Sequence, residues 1–199
     1  MTPTIKRSIQ AALVAIAFLA TALPGRSAGD TITVVLSSPT KDTFYANVSS
    51  VPLRLGYFAA EGLTVNIPLP AGTTGDVMLA AFDDVVAPVV ERFAPTWVLV
   101  SAGFDAHRAD PLAGMELSAG DFADMARRVR GFTDTTGRLA LLLEGGYDLD
   151  ALRESAGAAL AAVLDVDFRP ERSSHGGPGA EAVHAARRVH VDGAGPVPG

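Results

Sequence analysis

The sequence predicts an α/β chain with a partial, open parallel sheet and helices on both of its faces. Residues 97–102 (WVLVSA) and 138–143 (RLALLL) are almost continuously apolar, which is typical of strands buried on both faces of a parallel sheet. Around these runs, apolar residues recur every three or four positions, as on the buried face of a helix. The resulting order of helix, strand, helix, strand and helix favours parallel pairing through crossover helices.

The elements before residue 76 are short. The pattern predicts a strand at 31–36, a short helix at 51–62 and an extended stretch at 63–67. A loop rich in proline and glycine then leads to the more regular part of the chain.

From residue 76 onward, three helices alternate with the two apolar strands. Asp76 is the predicted cap of the first helix and Pro95 its end, while Ser118 and Asp148 begin the second and third helices. The predicted apolar faces consist of Leu79, Phe82, Val86, Val89 and Phe93 in the first helix, Phe122, Met125, Val129 and Phe132 in the second, and Leu152, Ala156, Leu160 and Val163 in the third.

Both ends of the chain differ from this core. Residues 1–28 have the pattern of a signal peptide, because Lys6 and Arg7 precede an apolar run at 11–23 that ends in a Pro-Gly break. A membrane anchor is the alternative, but the run is shorter than the roughly 18 residues that a spanning helix needs, so no stable membrane span is expected. A used signal peptide implies a secreted or periplasmic protein. Residues 168–199 are rich in Gly, Pro, Ser and Arg, and we expect a mostly disordered tail.

The composition excludes several functions. The chain has 199 residues, 48% of them hydrophobic, and a formal net charge of −6, which suits one ordinary domain and argues against a nucleic-acid partner. It has no cysteine, so disulfides, thiolate metal sites and a cysteine nucleophile are excluded. Any metal must be bound by Asp, Glu or one of the four histidines.

Two loops with suitable chemistry follow the two predicted strands. Because parallel strands joined by a crossover helix end at the same sheet edge, these loops are expected to lie side by side. One has Asp105, whose carboxylate can bind a divalent metal, and the other has Tyr147, whose phenol can donate a hydrogen bond to a developing oxyanion, next to Gly145 and Gly146. This combination suits metal-assisted hydrolysis of a carbonyl compound. Two alternatives remain open: Asp105 caps a helix or pairs with Arg108, and Tyr147 is a core residue with its hydroxyl at the surface.

Three motifs in register carry a family resemblance. Residues 66–72 (NIPLPAG), 101–112 (SAGFDAHRADPL) and 143–148 (LEGGYD) resemble the C-terminal part of the zinc-dependent histone deacetylases, and most of all the bacterial class II, acetoin-utilisation and acetylpolyamine amidohydrolase branch. The likeness covers about residues 65–190, with the domain itself at 65–167. It implies an arginase-deacetylase-like fragment, Zn²⁺ as cofactor, and an acetylated lysine or polyamine as substrate. For this part alone it implies a cytoplasmic protein.

The same resemblance assigns roles to individual residues. It implies that Asp105 is one of three zinc ligands and that Tyr147 polarises the acyl carbonyl. It also implies that Leu112 lines the acyl-lysine tunnel, with Gly145 and Gly146 beside the substrate. His107 has no zinc-ligand role in the family pattern, so we interpret it, with Arg108, as rim or scaffold.

Other parts of the family pattern do not occur in this chain. The family needs a tandem histidine pair as general base and acid, and an Asp-x-His motif with two more zinc ligands. No His-His pair occurs in the sequence, and no histidine precedes His107. Because catalytic zinc normally has three protein ligands, the resemblance implies an enzyme that is impaired or inactive on this chain alone.

The first 64 residues resemble a different family. The signal peptide and GYFAAEGL at 56–63 are similar to the start of periplasmic substrate-binding proteins of nitrate, sulfonate and taurine importers. The two resemblances meet near 63–67. A periplasmic solute-binding component of an ABC importer and an inert hybrid are therefore the alternatives to a deacetylase. As part of a larger sheet, the deacetylase-like region is also expected to expose an edge and to self-associate.

Overall fold

A computed structural model of the chain describes residues 14–19, 31–37, 62–95, 97–133 and 138–193. The described strands form one five-stranded sheet in the order β3-β2-β1-β4-β5. They are β1 (Val14–Leu19), β2 (Thr31–Ser37), β3 (Gly62–Pro68), β4 (Val98–Gly103) and β5 (Leu139–Gly145). The predicted α/β class is confirmed, since helices accompany this sheet.

β1 makes the sheet mixed rather than wholly parallel. β2 pairs with β3 in parallel and β4 with β5 in parallel, but β1 lies between β2 and β4 and is antiparallel to both. β1 falls inside the apolar run 11–23, which also fits the core of a signal peptide. A short apolar run satisfies either pattern, and this is why the antiparallel strand was not predicted. The rest of the predicted signal peptide, and residues 51–61 of the predicted short helix, lie outside the described residues.

The first predicted helix consists of three consecutive segments: α1 (Gly75–Ala81), a π-helical turn (Phe82–Val86) and α2 (Ala87–Phe93). Its cap is Thr74 rather than Asp76, whose carboxylate accepts hydrogen bonds from the Thr74 hydroxyl at 2.5 Å and the Val77 N–H at 2.9 Å. It ends, as predicted, just before Pro95, at Ala94 with a left-handed φ of 52°.

Helix α3 (Ala119–Arg130) begins with the predicted cap. The Ser118 hydroxyl accepts a hydrogen bond from the Asp121 N–H at 3.3 Å, and the Asp121 carboxylate accepts one from the Ser118 N–H at 2.8 Å. This reciprocal pair is a capping box, which satisfies two backbone donors at the helix start. The predicted face of α3 is buried at Phe122, Met125 and Val129.

Helix α4 (Leu149–Leu164) also starts at its predicted cap, Asp148, whose carboxylate accepts the Ala151 N–H at 2.8 Å. Its predicted apolar face is partly wrong, because Leu160 is 56% exposed. Small residues are buried instead, namely Ala151, Ser155, Ala158, Ala159, Ala161 and Ala162. Among the described residues, no helix combines the length and apolar character that crossing a membrane requires.

β5 is an edge strand, which corrects the expectation that it is buried on both faces. Leu142 and Leu143 are 52% and 63% exposed, whereas Val98 and Val100 of β4 are buried. Among the described strands, β5 stands last in the order and pairs with β4 alone. An apolar run predicts a strand, but the elements that cover it are set by tertiary context.

The tail is ordered over residues 168–193, which corrects the expectation of disorder. Ser174 donates from its hydroxyl to the Asp121 carboxylate at 2.6 Å and accepts the Gly75 N–H at 2.8 Å. Beyond it, helix α5 (Ala180–Arg187) buries Val183 and Ala186 in the core. Composition predicted a solvated segment, but its serine hydroxyls and backbone amides are bound by polar groups at the starts of α1 and α3.

We expect acid to loosen the tail from α3. The hydrogen bond from the Arg169 guanidinium lowers the pKa of Asp124 from 3.8 to about 2. A carboxylate whose pKa is lowered by folding stabilises the fold above its ordinary pKa, and this contribution disappears as the pH falls from about 4 towards 2. Hydrogen exchange of residues 169–174 across this range measures the effect. Arg169→Leu is the control, and an unchanged pH profile in that variant would contradict the assignment.

Candidate active site

The carboxyl ends of β4 and β5 meet, as predicted from topology. Gly103 pairs with Gly145 after a register shift, and the Phe104 N–H donates to the Gly145 carbonyl at 2.9 Å. The Phe104 ring packs edge to face on Phe122 of α3, with ring centroids 5.1 Å apart. The aspartate loop (residues 104–112) and the tyrosine loop (residues 144–148) therefore start side by side.

Asp105 lies at the base of the aspartate loop. It is 1% exposed and directly follows the buried ring of Phe104. Arg108, its alternative partner in the sequence analysis, forms an ion pair with Glu171 of the tail. Burial of an ionisable carboxyl at a strand end is a common feature of functional sites, and of structural networks as well.

His107 belongs to the scaffold rather than to the rim, since it is 4% exposed. Its Nδ1 accepts the Ala109 N–H at 3.1 Å, so the proton lies on Nε2, which is 2.8 Å from Glu171 Oε2. Burial alone would raise the pKa of Glu171, but hydrogen bonds from the Ala119 N–H, His107 and Arg108 lower it. Both ring nitrogens of His107 are thus used inside the fold.

Tyr147 stands at the surface of the tyrosine loop. The residue is 44% exposed, which is more than a core residue with only its hydroxyl at the surface would show. Gly146, just before it, has a φ of +127°, and a Cβ there would lie 3.0 Å from Leu152 Cδ1. Only glycine adopts this conformation readily, so the turn that presents Tyr147 depends on Gly146. Gly145 is buried at the end of β5.

Asp110 joins the two loops, and the sequence reasoning gave it no role. Its Oδ2 accepts the N–H groups of Tyr147 at 2.6 Å and Asp148 at 3.2 Å, and its Oδ1 accepts the Leu112 N–H at 3.0 Å. Leu112, the predicted tunnel residue, is partly buried beside it. The only sequence signal was an aspartate before a proline in the aspartate loop.

The described residues do not fit a complete zinc site. Catalytic zinc normally has three protein ligands. Within the described ranges, no group of three or more His, Cys, Asp or Glu side chains is arranged to hold a metal ion. Asp105 is the predicted ligand, and His107 has both nitrogens in other hydrogen bonds.

Comparison with known proteins gives a consistent match. The family described as "Histone deacetylase domain" matches residues 34–163. The chain is 43% identical over 113 residues to histone deacetylase 10, chloroplastic, of Oryza sativa subsp. japonica, covering 56% of this chain and 26% of that protein. It is 40% identical over 101 residues to a probable deacetylase of Archaeoglobus fulgidus, covering 50% of this chain and 28% of that protein. The solved structure of the histone deacetylase Clr3 superposes with a TM-score of 0.65 at 29% identity, over 79% of this chain and 27% of that one.

The extent of these matches is limited in two respects. The chain spans about a quarter of the length of the curated relatives that it matches. The family match begins at residue 34, inside the segment 29–64 for which the sequence predicted a fragment of a substrate-binding protein. That second likeness, and the junction near 63–67, stay predictions, because most residues between 29 and 61 lie outside the described part.

Proposed function

The chain belongs to the histone deacetylase family, and on that premise we propose that it carries part of a zinc-dependent amide-hydrolysing site. This part, called the wall below, consists of Asp105, Leu112, Gly145, Gly146 and Tyr147. The proposal rests on one observation. A buried carboxyl, Asp105, follows β4 where the tyrosine loop begins, and the backbone of Tyr147 is hydrogen-bonded to the aspartate loop. The substrate class is an acetylated lysine or an acetylated polyamine.

Each group in this wall has a defined task. The Tyr147 phenol donates a hydrogen bond to the acyl oxygen as negative charge develops there, and a donor that is already in place stabilises the transition state most. Leu112 lines the path of the acyl-lysine chain, with Gly145 and Gly146 beside it. Asp105 supplies one carboxylate of the zinc ligand set, and the other ligands come from a different segment or chain.

The wall alone is not expected to hydrolyse amides. A general base is needed to activate water, and the sequence contains no tandem histidine pair. His107, the first histidine in the chain, is committed to Glu171 and Ala109. The activity of this chain is therefore impaired or absent without a complementary segment.

A chimera tests the proposal. Residues 65–193 of this chain replace the corresponding part of the Archaeoglobus fulgidus relative, and we expect the rest of that protein to supply the groups that this chain does not contain. We expect the chimera to hydrolyse an acetyl-lysine reporter in a chelator-sensitive way, and the native chain alone to match the buffer blank. A folded, zinc-loaded chimera without hydrolysis would contradict the assignment of this wall.

We also propose self-association through the edge of β5, with a second copy of the chain as partner. The exposed side chains of Leu142 and Leu143 support it, because apolar edge strands promote pairing. β1 lies within the predicted signal peptide. Cleavage after Ala28 would therefore remove β1 and expose the edges of β2 and β4.

Removal of residues 1–28 is therefore expected to give dimers or larger aggregates. Two strand edges that β1 covers in the full chain would then be open to intermolecular pairing. Analytical ultracentrifugation of both forms measures the effect. A monodisperse, cooperatively melting monomer without residues 1–28 would contradict the proposal.

A further inference from the structure

We infer that Asp110 is a positioning residue that sets the place of Tyr147 relative to Leu112. This inference rests on the proposed function, because it concerns the same wall. Neither the sequence motifs nor the proposed reaction assigned a role to Asp110.

The Asp110 carboxylate accepts hydrogen bonds from both loops. Oδ2 accepts from the tyrosine loop, at 2.6 Å from the Tyr147 nitrogen and 3.2 Å from the Asp148 nitrogen. Oδ1 accepts from the aspartate loop, at 3.0 Å from the Leu112 nitrogen. Asp110 itself is 6% exposed, and its N–H donates to the His107 carbonyl at 2.9 Å. One rigid planar group therefore binds the backbone at both candidate substrate contacts.

The charge of Asp110 suits this place. A buried carboxylate is stable when several N–H groups donate to it, and the charge also lies near the start of α4, where the helix dipole favours an anion. An amide in its place would have a single oxygen. Its NH₂ group would then face N–H donors in one of the two loops, so asparagine cannot bind both loops.

Asp110 does not act as the cap of α4. Asp148 fulfils that role, with its carboxylate on the Ala151 N–H at 2.8 Å. Loss of the Asp110 carboxylate therefore releases the tyrosine loop while the helix keeps its cap. Positioning and helix stability can be separated by experiment.

Hydrogen exchange on the full chain tests the inference, with Asp110→Asn as the variant and Asp124→Asn as the matched control. Asp110 is buried and the Asp124 side chain is 18% exposed, and both carboxylates bind several donors, but Asp124 holds the tail through Arg169 and Ser173. We expect the Tyr147 amide to exchange about tenfold faster in Asp110→Asn, as for the loss of one charge-assisted hydrogen bond. The amides of residues 169–174 stay unchanged in that variant. In Asp124→Asn we expect the reverse, with faster exchange at residues 169–174 and unchanged exchange at Tyr147.

A second readout follows the side chain. The chain contains three tyrosines, so 3-fluorotyrosine gives three ¹⁹F resonances, and Tyr147→Phe identifies the one of interest. Asp110→Asn is expected to shift that resonance, Asp110→Glu to restore it in part because both oxygens remain, and Asp124→Asn to leave it in place. Equal effects of Asp110→Asn and Asp124→Asn on the Tyr147 amide and fluorine signal would overturn the inference. Inactivity of the chimera would instead count against the proposed function, and leaves these two readouts unaffected.

Discussion

Tyr147→Phe in the chimera is expected to lower turnover of the acetyl-lysine reporter by about 10²–10³, the usual effect of removing one oxyanion donor. The substitution removes only the hydroxyl. Because Tyr147 is 44% exposed, loss of the hydroxyl leaves no buried cavity, and only a small change in thermal stability is expected. Initial rates at saturating substrate, with melting curves of both proteins, measure the effect.

The control for this experiment is Leu149→Ala, which alters a neighbouring side chain that is 79% exposed and carries no donor. It is expected to keep turnover within about twofold, as for most surface substitutions away from special features. If Leu149→Ala and Tyr147→Phe reduce turnover equally, the loss comes from disturbance of the loop and the assigned role of the phenol is wrong.

Asp121→Ala is expected to destabilise the chain by about 3 kcal/mol or more, since a buried hydrogen-bonding group is removed from several donors. Asp121 is 0% exposed. Its carboxylate accepts the Ser118 N–H at 2.8 Å and the Ser174 hydroxyl at 2.6 Å, so that it caps α3 and holds the tail at once. Urea unfolding followed by circular dichroism measures the change.

Asp83→Ala is the matched control, because Asp83 pairs with Arg128 at 2.6 Å but has a side chain that is 53% exposed. Exposed ion pairs contribute about 0–1 kcal/mol, so only a small change is expected. Similar losses for Asp121→Ala and Asp83→Ala would show that the tail adds no stability through Asp121.

Local signals in the sequence predicted the helices well. Ser118 followed three residues later by Asp121 predicted the capping box that α3 has, and Asp148 predicted the start of α4. These signals are reliable because a cap depends on residues within one turn. The buried face of α4 was predicted less well, since alanines rather than Leu160 face the core. Which side of a helix is covered depends on its packing partners.

The sequence predicted that the aspartate and tyrosine loops lie at one sheet edge, but not the hydrogen bonds that hold these loops in place. Parallel pairing of β4 and β5 was enough to place Asp105 and Tyr147 at one sheet edge. Asp110 and Glu171 act through hydrogen bonds to residues 37 and 64 positions away, to Tyr147 and His107 respectively. Periodicity and turn signals contain no information on such long-range contacts, and the same applies to the ordered tail.

Zinc binding by the purified full chain tests the central claim most directly, namely that this chain supplies one wall of a deacetylase site and not the whole ligand set. Metal titration of the native chain and of Asp105→Ala provides the comparison. With one candidate ligand, zinc is expected to bind no tighter than micromolar, and Asp105→Ala should change the affinity little. Stoichiometric, tightly held zinc that Asp105→Ala abolishes would contradict the account, because it would require further ligands within this chain.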